Sequence, residues 1–171
     1  MAQMKTQRKK TVVYLHIGDY YASKAHEIIH TLVGSCVTVC LIDPVRQVGG
    51  MNHILLPRKP DLRLFNDSAR YGIYAMDLLI NKILNLGGER RMLVAKVFGG
   101  GHILPEISRE NGAGRRNIKF VIDFLYNERI RIVNQDLGGI ESRKVYFHTD
   151  TGEVFLKRIR HNHWQNIARE E

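Results

Sequence analysis

Apolar residues occur along this chain mostly in short runs rich in β-branched side chains, separated by glycine, proline or polar residues. Runs of this length and composition predict β-strands rather than helices. The segment from Tyr20 to Glu27 is more polar and weakly periodic, so we predict a loop there. The predicted strands are Thr11–Ile17, Ile28–Val33, Val37–Ile42, Val48–Leu56, Met92–Phe98, Ile130–Asn134, Val145–His148 and Val154–Leu156.

Two longer segments have the periodicity of amphipathic helices. From Asp67 to Leu86 the apolar residues fall on one stripe, and Gly87-Gly88 follows as a stop signal. A second helix is predicted after a glycine-rich segment, with Asn117 as its N-cap. The run Val37–Ile42 is almost continuously apolar, which is typical of a strand covered on both faces. The pattern therefore predicts a layered α/β arrangement.

Length and composition favour one domain. The chain has 171 residues and 44% hydrophobic content, enough for one substantial core. We predict a basic disordered tail over residues 1–10, a single folded domain over residues 11–158 and a polar tail over residues 159–171. No apolar run is long enough to cross a bilayer and no signal segment follows the basic start, so we predict a cytoplasmic protein without membrane insertion.

The formal net charge of +9 indicates an acidic partner. About half of this excess lies in the basic start of the chain, and the remaining basic residues are spread without a nucleic-acid motif. Nucleic-acid binding is therefore the least favoured function. Histidines 148, 161 and 163 have no companions at ligand spacing, so neither a metal site nor a cofactor is predicted.

The candidate chemistry centres on a cysteine. The two cysteines, Cys36 and Cys40, would lie about 13 Å apart on one strand, too far for a disulfide. A cysteine in an apolar strand is most often a buried hydrophobic residue, and Cys40 fits that description. Gly34 and Ser35 stand directly before Cys36, where backbone N–H groups could stabilise an oxyanion. Cys36 is therefore the candidate nucleophile.

A thiol needs a base or a cation nearby to be a useful nucleophile near neutral pH. The turn between the strands Val37–Ile42 and Val48–Leu56 predicts a hairpin that brings His53 close to Cys36. Thr31, Thr38 and Ser35 are candidates for a third group that orients the imidazole, and the pattern does not choose among them. The glycines at 99–101 and 112–114 do not have phosphate-loop spacing, so we predict turns that allow close packing around the site.

Motifs along most of the chain resemble those of the chemoreceptor glutamine deamidase family CheD. The resemblance extends from about Val12 to Lys157, in the order found in the family. It is carried by Gly34-Ser35-Cys36-Val37, Asp43-Pro44, Gly49-Gly50-Met51-Asn52-His53, Leu56-Pro57, Arg70-Tyr71-Gly72, Ala75-Met76, Lys96-Val97-Phe98-Gly99-Gly100, Gly114-Arg115-Arg116-Asn117, Asp136-Leu137-Gly138-Gly139 and Arg143.

The resemblance implies a single-domain three-layer α/β/α sandwich with a mixed, largely buried sheet. It implies a cysteine hydrolase that converts glutamines of methyl-accepting chemotaxis receptors to glutamate and releases ammonia. By position, Cys36 is the nucleophile, His53 the base and Thr31, five residues before the cysteine, the third member. The chain departs from the family at Gly101-His102, where a small and an apolar residue are usual.

Two alternatives remain open. Glutamyl methyl esters would suit the same site geometry, so the protein could be a receptor methylesterase. It could also be a basic, non-catalytic binding module, such as a regulatory partner of a CheC-type chemotaxis phosphatase, with Cys36 merely packed. A CheC-type phosphatase is a further candidate partner of the enzyme as well.

Overall fold

A computed structural model describes residues 9–56, 67–104 and 112–161. Within these residues the chain forms nine strands, two α-helices and a short 3-10 turn at Arg90–Met92. The strands are β1 (Val12–Tyr14), β2 (Tyr20–Ser23), β3 (Ile28–Val33), β4 (Val37–Asp43), β5 (Val48–Asn52), β6 (Val94–Gly99), β7 (Arg131–Leu137), β8 (Ser142–His148) and β9 (Val154–Ile159). The helices are α1 (Asp67–Asn85) and α2 (Ala113–Asn127).

The strands form two mixed sheets. One sheet has four strands in the order β1-β3-β8-β9, and the other has five in the order β2-β5-β4-β6-β7. The pairs β1–β3 and β6–β7 are parallel, and the remaining neighbours are antiparallel. Mixed sheets of this kind need both hairpins and longer crossovers, and the helices lie in two of the crossovers.

Strand β4 lies at the centre of the core, and all seven of its residues are buried. Val37, Val39 and Leu41 face the helices, whereas Cys40 and Ile42 on the opposite face pack against the four-stranded sheet. The prediction that this run is covered on both faces is therefore confirmed, because a strand buried on both sides has no polar face.

The α/β class is confirmed, but the layers follow a different order from the predicted α/β/α sandwich. In the described residues both helices pack on one face of the five-stranded sheet. The four-stranded sheet packs on the other face, in the place predicted for a second helical layer. The amphipathic pattern of a strand reports that it is covered, not whether a helix or a sheet covers it.

The first helix agrees closely with its prediction. It ends at Asn85, and Gly87 follows with a φ of 100°, which an L-residue rarely adopts. The second helix begins earlier than predicted. Ala113 is its first residue and Gly112 its N-cap, so Asn117 lies inside the helix and is fully buried. The predicted N-cap role of Asn117 is wrong, because this side chain bonds to other segments instead.

Several strands also differ from prediction. Tyr20–Ser23, predicted to be a loop, forms the edge strand β2 by pairing with β5. Strand β7 continues through Asp136 to Leu137, and β5 ends at Asn52. The residues 1–8 and 162–171 of the predicted tails lie outside the described residues. No helix in the described part of the chain is long and apolar enough to cross a membrane.

Candidate active site

An open pocket of about 640 Å³ lies where the ends of the two sheets meet. It contains the side chains that the sequence singled out, Cys36 and His53, together with Gly34 and Ser35. Cys36 is 7% exposed and His53 is 5% exposed, so both are nearly enclosed by protein but open to the pocket. A pocket that combines a thiol, an imidazole and apolar walls is a default candidate for an active site.

The hairpin of β4 and β5 brings the thiol and the imidazole together, as predicted. Val37 and Ile54 exchange two backbone hydrogen bonds of 3.0 and 2.8 Å. Cys36 and His53 each precede one member of this pair, so they are diagonal neighbours across the two paired segments. In the described residues no hydrogen bond joins Cys36 Sγ to His53. Such contacts often form only when substrate binds.

The third candidate, Thr31, contacts His53 directly. Its Oγ1 lies 2.8 Å from His53 Nδ1 and 2.8 Å from the carbonyl oxygen of Leu15. The single hydroxyl proton is donated to Leu15, so the oxygen of Thr31 must accept the Nδ1–H of His53. This chain of bonds fixes the neutral imidazole with its proton on Nδ1. Nε2 then carries a free lone pair, and it is buried without a hydrogen-bond partner among the described residues.

The other two candidates for this orienting role have different contacts. Thr38 Oγ1 donates to the carbonyl oxygen of Asn52 at 2.5 Å. Ser35 lines the pocket, and its carbonyl oxygen accepts from the Asn117 side chain at 2.8 Å. Of the three hydroxyls left open by the sequence, only Thr31 bonds to His53 in the described residues.

Burial favours the neutral forms of both Cys36 and His53. Burial lowers the pKa of His53 to about 4, and it outweighs the opposing effect of nearby Asp19. Burial also raises the pKa of the Cys36 thiol, although the backbone N–H of Cys36 partly opposes this. A neutral thiol beside a neutral imidazole is the starting state for general-base activation rather than for a preformed ion pair.

The second cysteine lies deeper. Cys40 is 1% exposed and packs between the two sheets. Burial raises the pKa of its thiol far above the ordinary value, more strongly than nearby Lys96 lowers it. Cys40 therefore has the surroundings of an inert core residue, as the sequence indicated.

A glycine turn after β6 packs directly on the backbone of the segment that contains Cys36. Gly100 N–H donates to the carbonyl of Cys36 at 2.7 Å, and Gly101 N–H donates to the carbonyl of Gly34 at 2.8 Å. A Cβ at Gly99 would lie 2.3 Å from the carbonyl oxygen of Cys36, and its φ is 114°. Only glycine allows this approach, which agrees with the predicted role of these turns in close packing.

Two backbone donors near the thiol bond to no other residue in the described part of the chain. Apart from the contact of the Cys36 N–H with its own thiol, the N–H groups of Ser35 and Cys36 donate to no acceptor within the described residues. Because the carbonyls of Gly34, Ser35 and Cys36 are all engaged, the segment is held in place while these donors stay free. Fixed, unpaired N–H groups beside a nucleophile can stabilise an oxyanion.

Two residues that support this segment were not recognised as site residues from sequence. Asn117 Oδ1 accepts from the backbone N–H of Leu56 at 3.0 Å, while its Nδ2 donates to Ser35. Arg143, which is 3% exposed, donates to Asp136 and to the carbonyls of Gly138 and Glu141. A buried polar residue in an amphipathic helix was the available signal for Asn117.

Arg143 shapes the loop that receives the glycine turn. Gly138 N–H donates to the carbonyl of Gly99, and the carbonyl of Gly139 accepts from His102 N–H. Although burial alone would raise the pKa of Asp136, its hydrogen bonds to Arg143 and Arg158 lower it. The ion pair therefore persists at neutral pH and holds the loop against the site. Among the described residues no group of acidic, histidine or cysteine side chains has the geometry of a metal site.

Fold and pocket together define an α/β protein with a cysteine, a histidine and a threonine at one candidate active site. Residues 55–158 match the sequence profile of the family described as CheD chemotactic sensory transduction. The chain belongs to the CheD family. The matched residues include Asn117 and Arg143 and begin after His53.

Relatives that align with most of this chain show that the similarity also includes residues before position 55. A Shewanella oneidensis protein named "Probable chemoreceptor glutamine deamidase CheD 1" is 44% identical over 165 residues, which are 95% of this chain and 80% of the relative. A Hydrogenovibrio crunogenus protein named "Probable chemoreceptor glutamine deamidase CheD" is 41% identical over 90% of this chain and 81% of the relative. A Vibrio cholerae protein of the same name is 43% identical over 83% of this chain, which spans only 63% of that relative.

Proposed function

We propose that this protein is a chemoreceptor glutamine deamidase, which hydrolyses glutamine side-chain amides of methyl-accepting chemotaxis receptors to glutamate and ammonia. The observation that carries the proposal is the bond between Thr31 and His53, which leaves the Nε2 lone pair free in the pocket of Cys36. The names of the relatives support the same reaction.

In the first half of the reaction, His53 Nε2 takes the proton of the Cys36 thiol as Sγ attacks the glutamine side-chain carbonyl carbon. The S–C bond forms and the carbonyl oxygen becomes an oxyanion, which the N–H groups of Ser35 and Cys36 stabilise. The imidazolium then gives its proton to the amide nitrogen as the C–N bond breaks. Ammonia leaves, and the glutamyl group remains on Cys36 as a thioester.

In the second half, water attacks the thioester carbonyl while His53 Nε2 accepts a proton from it. The C–S bond breaks, the thiol recovers its proton from the imidazolium, and the glutamate side chain leaves. Thr31 keeps Nδ1 protonated throughout, so the same nitrogen, Nε2, performs every proton transfer. This role requires no cofactor and no metal.

The low pKa of His53 suits this role. An imidazole with a pKa of about 4 stays neutral at pH 7 and is therefore available as a base. It is a weak base for a thiol whose own pKa is raised, so proton transfer must accompany the attack rather than precede it. When the polar substrate approaches, it would change the surroundings of the His53 imidazole and of the Cys36 thiol at the same time.

The decisive experiment is mass spectrometry of a receptor cytoplasmic fragment after incubation with the protein. Wild type should convert specific glutamines to glutamates and release ammonia in equal amounts. Cys36→Ala should do neither. Cys40→Ala is the matched control, because it removes a sulfur from the same strand and should retain most activity. Ammonia release by Cys36→Ala at the wild-type rate would refute the proposal.

The same fragment, prepared with methyl esters at its glutamates, tests the methylesterase alternative. Release of methanol without release of ammonia would favour that reaction. If neither product forms and a thiol-reactive probe labels Cys36 no faster than Cys40, the protein is better described as a binding module, for which a CheC-type phosphatase is a candidate partner. The predicted cytoplasmic location agrees with a receptor substrate and stays a prediction.

A further inference from the structure

One face of the four-stranded sheet carries no covering layer in the described part of the chain. Both helices pack on the five-stranded sheet. In the four-stranded sheet, alternate residues of β1, β3, β8 and β9 point into the core between the sheets, and the remaining residues point outward. An aromatic row crosses the outward face in register through all four strands: Tyr14 pairs with His30, His30 with Tyr146, and Tyr146 with Phe155. The rings of His30 and Tyr146 stack at 4.1 Å.

This face is more apolar than a solvated sheet face usually is. Tyr14 is 48% exposed and Phe155 is 58% exposed, at opposite ends of the aromatic row. Polar side chains normally alternate outward in a sheet with one wet face. A contiguous apolar patch on a sheet face indicates a surface that binds a partner.

The face is also basic. A second row runs beside the aromatic one, in which Leu32 pairs with Lys144 and Lys144 with Lys157. Neither lysine forms an ion pair within the described residues. The four strands contain no aspartate or glutamate at all. Two adjacent, unpaired cations beside an aromatic row favour a partner with both acidic and apolar side chains.

The face leads directly into the candidate active site. Tyr14 from the aromatic row and Leu32 from the basic row both line the pocket of Cys36 and His53. Strand β3 thus connects the two, with its outward residues on the face and Gly34 beyond its end in the pocket wall. A ligand that lies on this face would therefore have some of its side chains next to the pocket of the Cys36 thiol.

We propose that this face docks an amphipathic helix of the receptor substrate. Acidic side chains of the helix contact Lys144 and Lys157, apolar ones contact the aromatic row, and a glutamine enters the pocket. This inference rests on the proposed deamidase function for the identity of the helix. A helix is about 10–12 Å wide and strands are spaced about 4.8 Å apart, so one helix would cover two to three of the four strands.

Binding to the receptor fragment tests the docking face without chemistry when every protein carries Cys36→Ala. The test variant is Lys144→Glu/Lys157→Glu. The matched control is Lys82→Glu/Arg131→Glu, which makes the same change in net charge at exposed positions of α1 and β7. We expect the test variant to raise the Kd about tenfold and the control to change it less than about twofold, measured by titration calorimetry. Equal effects of the two pairs would overturn the proposal.

A second variant, Phe155→Ser, removes apolar surface without changing charge and should weaken binding about three- to tenfold. With Cys36 restored, both face variants should lower kcat/KM for ammonia release from the receptor fragment but not from a short blocked glutamine peptide. Loss of activity on the peptide as well would mean that the variants damage the site, and would also overturn the docking proposal. If wild type binds through the face yet releases no ammonia from either substrate, the docking surface stands and the proposed function fails.

Discussion

Replacing Thr31 by valine separates the orienting role of its hydroxyl from its packing, because the two side chains have nearly the same shape. The substitution removes the acceptor of His53 Nδ1–H and the donor to the carbonyl of Leu15, at a residue with no exposed surface. Each buried polar group left unpaired costs about 1–3 kcal/mol, so the free energy of unfolding should fall by roughly 2–4 kcal/mol.

The effect on activity has a different cause. Without Thr31 Oγ1 the imidazole can place its proton on Nε2, which removes the lone pair needed by the thiol. A misplaced or wrongly protonated base typically lowers the rate by about 10- to 100-fold, and we expect this fall in kcat with little change in KM. Thr31→Ser keeps the hydroxyl and should retain most of kcat.

Steady-state ammonia release from the receptor fragment measures kcat and KM, and urea unfolding measures stability. Nuclear magnetic resonance of isotope-labelled histidine identifies the protonated ring nitrogen of His53 in each protein. The reasoning is refuted if Thr31→Val keeps the wild-type kcat, or if His53 in the wild type carries its proton on Nε2. A stability loss that Thr31→Ser shares in full would also contradict the role of the hydroxyl.

Lowering the pH should destabilise the protein through His53, since its pKa is about 4 in the folded state and 6.5 ordinarily. Between these values the unfolded chain binds more protons, so about 3 kcal/mol of unfolding free energy is lost as the pH falls; urea unfolding of His53→Gln should lack this loss, and matching pH profiles would contradict the effect. Asn117→Ala should cost roughly 2–4 kcal/mol in urea unfolding, because it leaves the partners of both its hydrogen bonds unpaired. Asn117→Asp keeps the acceptor but loses the donor to Ser35, and it should lower kcat more than its stability suggests; a wild-type kcat in both variants would exclude a positioning role. Iodoacetamide should alkylate Cys36 in the native protein and Cys40 only on unfolding, and the rate for Cys36 should keep rising to a higher pH than the rate for a free cysteine, because burial raises the pKa of the Cys36 thiol; peptide mapping that finds Cys40 labelled first would reverse the assignment. Raising the ionic strength should lower kcat/KM for the receptor fragment more than kcat, because a basic protein attracts an acidic substrate at long range; salt-independent kcat/KM would exclude this steering.

The pattern of apolar residues along the sequence was sufficient to predict those strands and helices that depend on burial alone. The apolar run of β4 and the stripe of α1 were both visible in the sequence, because each repeats the period of its own backbone geometry. The hairpin that joins Cys36 to His53 was visible for the same reason. The association of Thr31 with His53 came from the resemblance to the family, since local spacing left three hydroxyls equally eligible.

What the sequence left open depends on distant pairing. Tyr20–Ser23 forms a strand only because it can pair with the edge of β5. A pair of short strands is barely stable in isolation, so the local sequence does not predict such a strand. The second sheet replaces a helical layer for a similar reason, because strand patterns do not identify the covering element. Asn117 was wrongly predicted to be an N-cap because an amide side chain can either cap a helix N-terminus or form a buried bridge between segments.

The bond from Thr31 to His53 joins residues of different sheets, since Thr31 belongs to β3 and His53 directly follows β5. Neither sheet alone contains a complete candidate site. A compact state that keeps its secondary structure but loosens the contact between the sheets would keep its far-ultraviolet circular dichroism. It would nevertheless lose the fixed tautomer of His53. During mild denaturation, enzymatic activity should therefore disappear before the far-ultraviolet circular dichroism signal. The rate of turnover would then report how tightly the two sheets pack against each other.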